Sequence, residues 1–273
     1  MCPDDPAEEP LASLFMSAAH ARTKGDSEAV YEYTLRALNR ARQMGNQRAE
    51  ALAYLNLAEN ALHYCCFAGD PLVRRRRLCL LALPILEKCE DMSGVARALR
   101  LLASTSVGSR RSIRFLRRSI SIARAHGLQS DEIKSLTDLA LHHALRGRTT
   151  DAVRTAKRAI QLGKCAGDAR ALAHAFVVGA LVQSSDEEER LRYFERGIAI
   201  YRRIGDLLKL AEALQQAAML IDNPQYESRM VEYLREARVC YQKLSMHERA
   251  KALDMELAGE KGATGNAGPE TAG

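Results

Sequence analysis

Short turn signals divide the chain into segments of helical length. Turn-type residues recur at Gly25, Gly69, Gly108, Gly147, Ser185 and Pro224, with spacings of 44, 39, 39, 38 and 39 residues. A second series with a similar spacing lies between them, at positions 45, 91–94, 127, 167, 205 and 244–245. Two turns in each period leave two segments of about 14 to 21 residues, which is the length of helices rather than of strands.

Within these segments the apolar residues recur with a helical period. In 109–126, Ile113, Leu116, Ile120 and Ala123 lie on one face, and arginines occupy the opposite face. Residues whose side chains suit an N-cap stand at the segment starts: Asp26, Asp70, Ser109, Ser130, Asp168, Asp186, Asp206 and Asn223. Glycines at 25, 45, 127, 147, 167 and 205 are placed to end the preceding helix in a left-handed conformation.

The pattern predicts an all-α fold of six antiparallel helix pairs and a closing helix. The predicted helices are 10–24, 26–44, 47–67, 70–90, 93–106, 109–126, 130–146, 149–165, 168–183, 186–204, 206–221, 225–244 and 246–257. They form one helical-repeat domain over residues 10–257. We expect residues 1–9 and the Gly- and Ala-rich tail 258–273 to be disordered.

Composition agrees with helices and narrows the class of protein. The chain has 43 Ala and 36 Leu among its 273 residues, and β-branched residues are scarce. No apolar run approaches the roughly 20 residues of a membrane helix, so no membrane partner is expected. The acidic, proline-rich start is unlike a secretory signal, and the 7 cysteines are odd in number. We therefore expect a cytoplasmic protein without a disulfide framework.

Neither a metal site nor catalysis is indicated. Cys65 and Cys66 are neighbours, so on a helix they point about 100° apart, and His142 and His143 fail as a ligand pair for the same reason. His63 near the two cysteines does not complete a site. The chain has no P-loop, G-x-G-x-x-G, G-x-S-x-G or H-E-x-x-H motif. We expect no cofactor and no enzyme activity.

The repeated phrases resemble a known family. The segment 51–58, Ala-Leu-Ala-Tyr-Leu-Asn-Leu-Ala, is echoed at 98–103, 135–140 and 213–218. It resembles the first helix of a tetratricopeptide repeat (TPR), in the longer variant of about 40 residues found in spindle-orientation adaptors, kinesin light chains and sensor regions of bacterial transcription activators. Segment 37–46 resembles the second helix and its turn.

The resemblance implies a right-handed α-solenoid whose first helices line a concave groove. Such grooves commonly hold an extended or helical peptide. Small residues such as Ala140 and Ala152 let paired helices approach closely. Two departures from the repeat are visible: Ile113 and Ile120 replace Ala, so the third pair should splay, and Pro84 should kink the second helix of the second pair.

Helical phase indicates which polar side chains face the groove. We expect them to be Asn56, Glu59, Arg100, Lys134, Asp138 and Gln216. The alternative for each is an ordinary solvated polar residue. Self-association is also open, because solenoid ends expose apolar faces unless a closing helix such as 246–257 covers them.

The net charge of +6 is concentrated in one stretch of the chain. Residues 71–130 contain 13 basic and 3 acidic side chains. The candidate basic patch is Arg74, Arg75, Arg76, Arg77, Arg110, Arg111, Arg114, Arg117, Arg118 and Arg124. The stretch is either a solvated helix surface whose arginine stems cover apolar groups, or a patch that attracts an acidic partner or nucleic acid.

The sequence thus favours a non-catalytic protein–protein interaction scaffold or adaptor that binds a peptide or protein segment. The alternative is binding of RNA, another nucleic acid or an acidic partner through the arginine-rich stretch. Against nucleic acid, Phe115 is the sole aromatic residue of that stretch.

Overall fold

The computed structural model describes residues 9–62, 70–183 and 186–264, with side chains as far as Ala258. In these ranges it contains thirteen α-helices, one short 3-10 turn at Pro224–Tyr226, and no strand. The helices are α1 (Leu11–Thr23), α2 (Ser27–Gln43), α3 (Gln47–Asn60), α4 (Pro71–Lys88), α5 (Met92–Ser104), α6 (Arg110–Ala125), α7 (Gln129–Ala144), α8 (Thr149–Ala166), α9 (Ala169–Val182), α10 (Glu187–Ile204), α11 (Leu207–Leu220), α12 (Glu227–Lys243) and α13 (His247–Thr264).

All thirteen predicted helices are present, and most of their ends lie within two residues of the prediction. Helix α3 ends at Asn60 rather than near 67, although 63–69 lie outside the described residues. Helix α13 continues to Thr264, past the predicted helix end at 257.

Local side-chain chemistry explains the helix boundaries. Seven of the eight predicted N-cap side chains accept a backbone N–H as expected, at Asp26, Asp70, Ser109, Asp168, Asp186, Asp206 and Asn223. The exception is Ser130, because α7 begins one residue earlier and the Ser130 hydroxyl instead donates to Asp168. The six predicted turn glycines all have φ between 64° and 72°.

Two turns achieve the same left-handed geometry without glycine. Glu90 and Ser245 occupy the place that Gly45 and Gly205 hold in other repeats, with φ of 55° and 56°. A side chain in this conformation costs roughly 1–2 kcal/mol relative to the right-handed region. The spacing of the turns is therefore kept even where the residue type is unfavourable.

The helices form two layers. Each helix packs on the next along the chain, and α3, α5, α7 and α9 also contact one another directly. The odd-numbered helices therefore make up an inner layer and the even-numbered helices an outer one. Ala140 and Ala152, two of the predicted small-residue positions, are buried in one cluster together with Ala156, and the third predicted position, Ala159, is buried in a neighbouring cluster. The kink at Pro84 stays a prediction; α4 is helical throughout.

The first and last repeats approach each other. A Cβ built on Gly25, in the turn between α1 and α2, would lie 3.5 Å from the Met246 side chain and 3.7 Å from Leu208. Met246 precedes α13 and Leu208 is in α11. The stack of helix pairs therefore curves until its N-terminal turn touches its C-terminal repeats. No helix in the described ranges is long and apolar enough to span a membrane.

Candidate functional site

A cluster of ion pairs lies where four inner helices face one another. The Glu59 carboxylate on α3 contacts Arg22 of α1 at 2.9 Å, Arg97 of α5 at 2.7 Å and Arg100 of α5 at 3.4 Å. Arg100 also reaches Asp138 of α7, at 3.4 Å. We use the name inner face for the surface of the inner layer that carries this cluster. The cluster joins the first four helix pairs along it.

Asn56 takes part in the same cluster. Its side-chain oxygen accepts a hydrogen bond of 2.6 Å from the Arg97 guanidinium, which also donates to both oxygens of Glu59. Arg97 thereby ties one turn of α3 to α5. Such charge-assisted, multiply bonded guanidinium contacts are stronger and more directional than those between neutral groups.

The electrostatics of the cluster favour the charged forms. Burial by itself would raise the pKa of the Glu59 carboxyl, but Arg97, Arg22 and Arg100 together hold that pKa well below its usual range. Burial would lower the pKa of Arg100, and the carboxylates of Asp138 and Glu59 reverse the direction. Glu59 is therefore a permanent anion near neutral pH rather than a proton donor.

One donor of this cluster is left without an acceptor. The Nη2 of Arg22 is buried, and no described residue is its hydrogen-bond partner. Burial lowers the pKa of this guanidinium, and Glu59 only partly compensates. An unpaired buried donor costs about 1–3 kcal/mol, so an acceptor supplied by a ligand at this point would be stabilising.

The inner face continues through the C-terminal half with further polar groups. Lys134 of α7 lies 3.7 Å from Asp168, and Arg170 of α9 lies 3.2 Å from Asp206. His174 of α9 is half-buried, and burial lowers its pKa. Charged side chains on α5, α7 and α11 also act on the pKa of His174, and Asp138 of α7 has the largest of these effects.

The structure brings four of the six predicted groove residues into one network: Asn56, Glu59, Arg100 and Asp138. Lys134 lies on the same helix as Asp138 but pairs elsewhere. Gln216 is half-buried on α11, and within the described residues no hydrogen bond joins it to the network.

The sequence reasoning missed Arg22, Arg97 and His174. A signal for two of them exists. The sixth residue after each N-cap on α3, α5, α7, α9 and α11 is Leu52, Arg97, Lys134, His174 and Glu212. Comparing this position across repeats would have found Arg97 and His174, whereas Arg22 near the end of α1 has no such counterpart.

Arg75 is not part of an exposed basic patch, which corrects the expectation. It is 7% exposed, and its guanidinium donates to the carbonyls of Ala58 and Glu59 and to the hydroxyl of Ser104. The two carbonyls are among those that the end of α3 leaves unsatisfied. Arg75 therefore closes the C-terminus of α3.

The other candidate arginines lie on the outer layer. Arg76 and Arg77 of α4 are exposed, and Arg74 is half-buried. Six more lie exposed on α6, where Arg118 pairs with Glu87 and Arg124 pairs with Glu132. The remaining four on α6 are Arg110, Arg111, Arg114 and Arg117.

Cysteine and histidine show no arrangement that would hold a metal in the described ranges, where no group of three potential ligands comes together. Burial raises the pKa of the Cys79 thiol to about 12, so it remains protonated. His142 shares a hydrogen bond of 2.8 Å with Ser112 and is a core residue. His63, Cys65 and Cys66 lie outside the described residues.

Comparison with known proteins identifies the fold. No sequence family matches the chain, and no curated protein is similar to it in sequence. The structure is similar to aspartyl phosphate phosphatase F from Bacillus subtilis, with a TM-score of 0.59 and 14% identity over 91% of this chain and 69% of that one. It is also similar to a signal transduction ATPase with numerous domains from Pyrococcus horikoshii, which has a tetratricopeptide repeat sensor.

The second likeness has a TM-score of 0.59 and 12% identity and covers 94% of this chain, which spans 43% of the ATPase chain. At such identities the likeness establishes the fold alone. The chain has a TPR-like α-solenoid of helix pairs, which confirms the resemblance of the repeats and the all-α fold class.

Proposed function

We propose that this protein is a non-catalytic interaction scaffold that binds a peptide or protein segment along its inner face. The observation that carries the proposal is the row of polar side chains that successive inner helices contribute to that face, from Arg22 to Glu212. Groups of both signs alternate along it, so they can exchange internal partners for the N–H and C=O groups of a peptide backbone.

Two features support binding rather than catalysis. The carboxylates of Glu59 and Asp138 form ion pairs with guanidinium groups. Because its pKa is lowered, Glu59 holds no proton at neutral pH that it could donate as a general acid. The unpaired Nη2 of Arg22 needs an acceptor, which a carbonyl or carboxylate of a ligand would provide. The TPR sensor in the ATPase from Pyrococcus horikoshii has the same fold.

The location that fits this function is the cytoplasm. The described cysteines Cys79, Cys89, Cys165 and Cys240 are free thiols, which suits a reducing compartment.

The test is selection of a ligand followed by mapping. A random peptide library is panned against the whole chain, and hydrogen exchange with a selected peptide is then measured. We expect protection on the inner helices from α3 to α11, and a loss of affinity of about 10-fold when Lys134, His174 and Gln216 are changed together to alanine. These three side chains lie outside the Glu59 cluster, so the fold should survive. Protection confined to the outer layer, or unchanged affinity of the triple variant, would contradict the proposal.

Nucleic-acid binding through the basic stretch is the second candidate. The exposed arginines of α6 favour it, and a nuclease-sensitive ligand whose affinity falls steeply between low and physiological salt would identify it.

A further inference from the structure

A furrow runs along the outer layer between α6 and α8. One half has a volume of about 700 Å³, and its rim carries Arg117, Arg124, Arg154 and Arg158. The other half, of about 660 Å³, shares Arg117 and carries Arg110, Arg114, Arg146 and Arg148. Because the halves share Arg117, they form one elongated site, which we call the arginine furrow. Four of its arginines lie beyond the basic stretch 71–130.

The floor of the furrow is apolar. Leu136 and Leu139 of α7 lie at its base, with Ile113 and Ile120 of α6 beside them. Both isoleucines occupy positions where the repeat pattern led us to expect alanine. The furrow thus offers apolar contact between two charged rims, and each half has the volume of a typical ligand pocket.

The arginines outnumber the carboxylates that could neutralise them. Glu132 lies 2.8 Å from Arg124 and 3.9 Å from Arg158, and Asp151 pairs with Arg148 and Arg154. For Arg110, Arg114 and Arg117 the described part of the chain provides no carboxylate partner. The furrow therefore has a strong positive potential over an apolar floor.

A neighbouring histidine responds to the same potential. His143 is 5% exposed, and its Nδ1 has no hydrogen-bond partner among the described residues. Burial and the charge of Arg148 lower the pKa of His143, Asp151 opposes them, and Arg117 and Arg154 lower it further by smaller amounts.

We propose that the arginine furrow binds an acidic amphipathic segment of a partner protein, whose apolar side chains contact the floor while flanking carboxylates pair with the rims. Charge complementarity supplies the rate and orientation of binding and most of its specificity. The four floor side chains are only 4–7% exposed, so the apolar contacts add a smaller part of the binding free energy. The furrow lies on the outer layer, so this interaction is independent of the inner face.

An acidic protein segment fits the furrow better than a nucleic acid does. Single-stranded nucleic acids are usually held by aromatic stacking platforms, and no aromatic side chain lines the described furrow. Phe115 of α6 is half-buried and packs against two core clusters. The apolar floor has no hydrogen-bond donors or charges with which it could bind a phosphate backbone.

The test uses synthetic probes and two double variants of the full chain. The probe is a fluorescein-labelled 14-residue peptide with Leu at i, i+3, i+7 and i+10 and Glu elsewhere, compared with its scrambled form, its Gln-for-Glu form and a 14-nucleotide oligouridine. The test variant is Arg114→Glu with Arg117→Glu, in the furrow. The matched control is Arg111→Glu with Arg118→Glu, which makes the same charge change on the same helix outside the furrow.

We expect the amphipathic probe to bind at least about 5-fold more tightly than the scrambled and Gln forms, and the furrow variant to weaken it at least about 10-fold more than the control does. Equal weakening by both variants would overturn the proposal, because binding would then follow net charge alone. Equal binding of the scrambled peptide, or tighter binding of the oligouridine that displaces the probe, would also overturn it. The triple alanine variant of Lys134, His174 and Gln216 should bind the amphipathic probe as tightly as the wild type does. The furrow proposal and the inner-face proposal can therefore fail separately.

Discussion

Replacing Glu59 by Gln tests whether the inner-face cluster holds the first four helix pairs together. The change keeps the size and shape of the side chain and removes its negative charge. Three guanidinium groups, from Arg22, Arg97 and Arg100, would then face one another with Asp138 as the remaining carboxylate of the cluster.

The expected loss follows from the burial and number of contacts. The Glu59 side chain is 21% exposed and Arg97 22%, so solvent screens the pairs only in part. Hydrogen bonds to charged groups contribute about 1.5–3 kcal/mol each, and removing one member of a fully buried pair costs about 3–5 kcal/mol. Since part of the cluster reaches solvent, we expect Glu59→Gln to lower the free energy of unfolding by about 2–4 kcal/mol at pH 7.

The loss should depend on pH in a defined direction. The pKa of Glu59 is lower in the folded protein than in the unfolded chain, where it is about 4.3, so the stabilisation is complete above that value and declines as pH falls. The decline is about 1.4 kcal/mol per pH unit below pH 4.3. Between pH 7 and pH 3 the difference between wild type and variant should therefore shrink by about 2 kcal/mol.

Urea unfolding followed by helical circular dichroism at pH 7 and pH 3 measures this difference. Glu232→Gln, at an exposed position on α12, is the control and should change stability by less than about 0.5 kcal/mol at both pH values. A Glu59→Gln effect that is the same at pH 3 as at pH 7 would refute the reasoning, because the charge would then not be the source of the stabilisation.

Four further changes probe other parts of the fold. Arg75→Met should lower the free energy of unfolding by about 2–4 kcal/mol in urea titrations, because the carbonyls of Ala58 and Glu59 lose the guanidinium that donates to them. The control Arg76→Met, at an exposed position, should change it by less than about 0.5 kcal/mol. Gly197→Ala should lower the free energy of unfolding by about 1–3 kcal/mol, because the new Cβ would lie 2.8 Å from Val177 and 3.1 Å from the Ala173 carbonyl oxygen. Alanine has the better helix propensity, so a more stable variant would show that α9 and α10 move apart without cost. Glu90→Gly should raise the thermal midpoint, with a gain of up to about 1 kcal/mol, because it relieves a left-handed φ of 55°; an unchanged or lower midpoint would contradict that strain. Met246→Asp should weaken the contact between the C-terminal repeats and Gly25. We expect faster hydrogen exchange in the α1–α2 turn and a larger radius of gyration, and unchanged values of both would argue against contact between the two ends of the stack.

The helices, their pairing and the fold class could be predicted from the sequence. This was achievable because the deciding interactions are local: an N-cap side chain such as Asp168 bonds three residues along, and Gly167 ends the helix before it by its own backbone preference. Helical phase likewise led to the prediction that Asn56 and Asp138 face the groove, without knowledge of their partners.

Which of these side chains meet could not be predicted from the sequence, because that depends on how the helix pairs pack. Arg75 stands in a run of four arginines, and nothing local separates the one that closes α3 from its exposed neighbours. Arg22 meets Glu59 across the interface between two neighbouring helix pairs. Gly25 meets Met246 because small rotations between successive helix pairs add up along the stack. The curvature is a sum over all interfaces, so no single segment of sequence contains it, and the approach of the two ends depends on that sum.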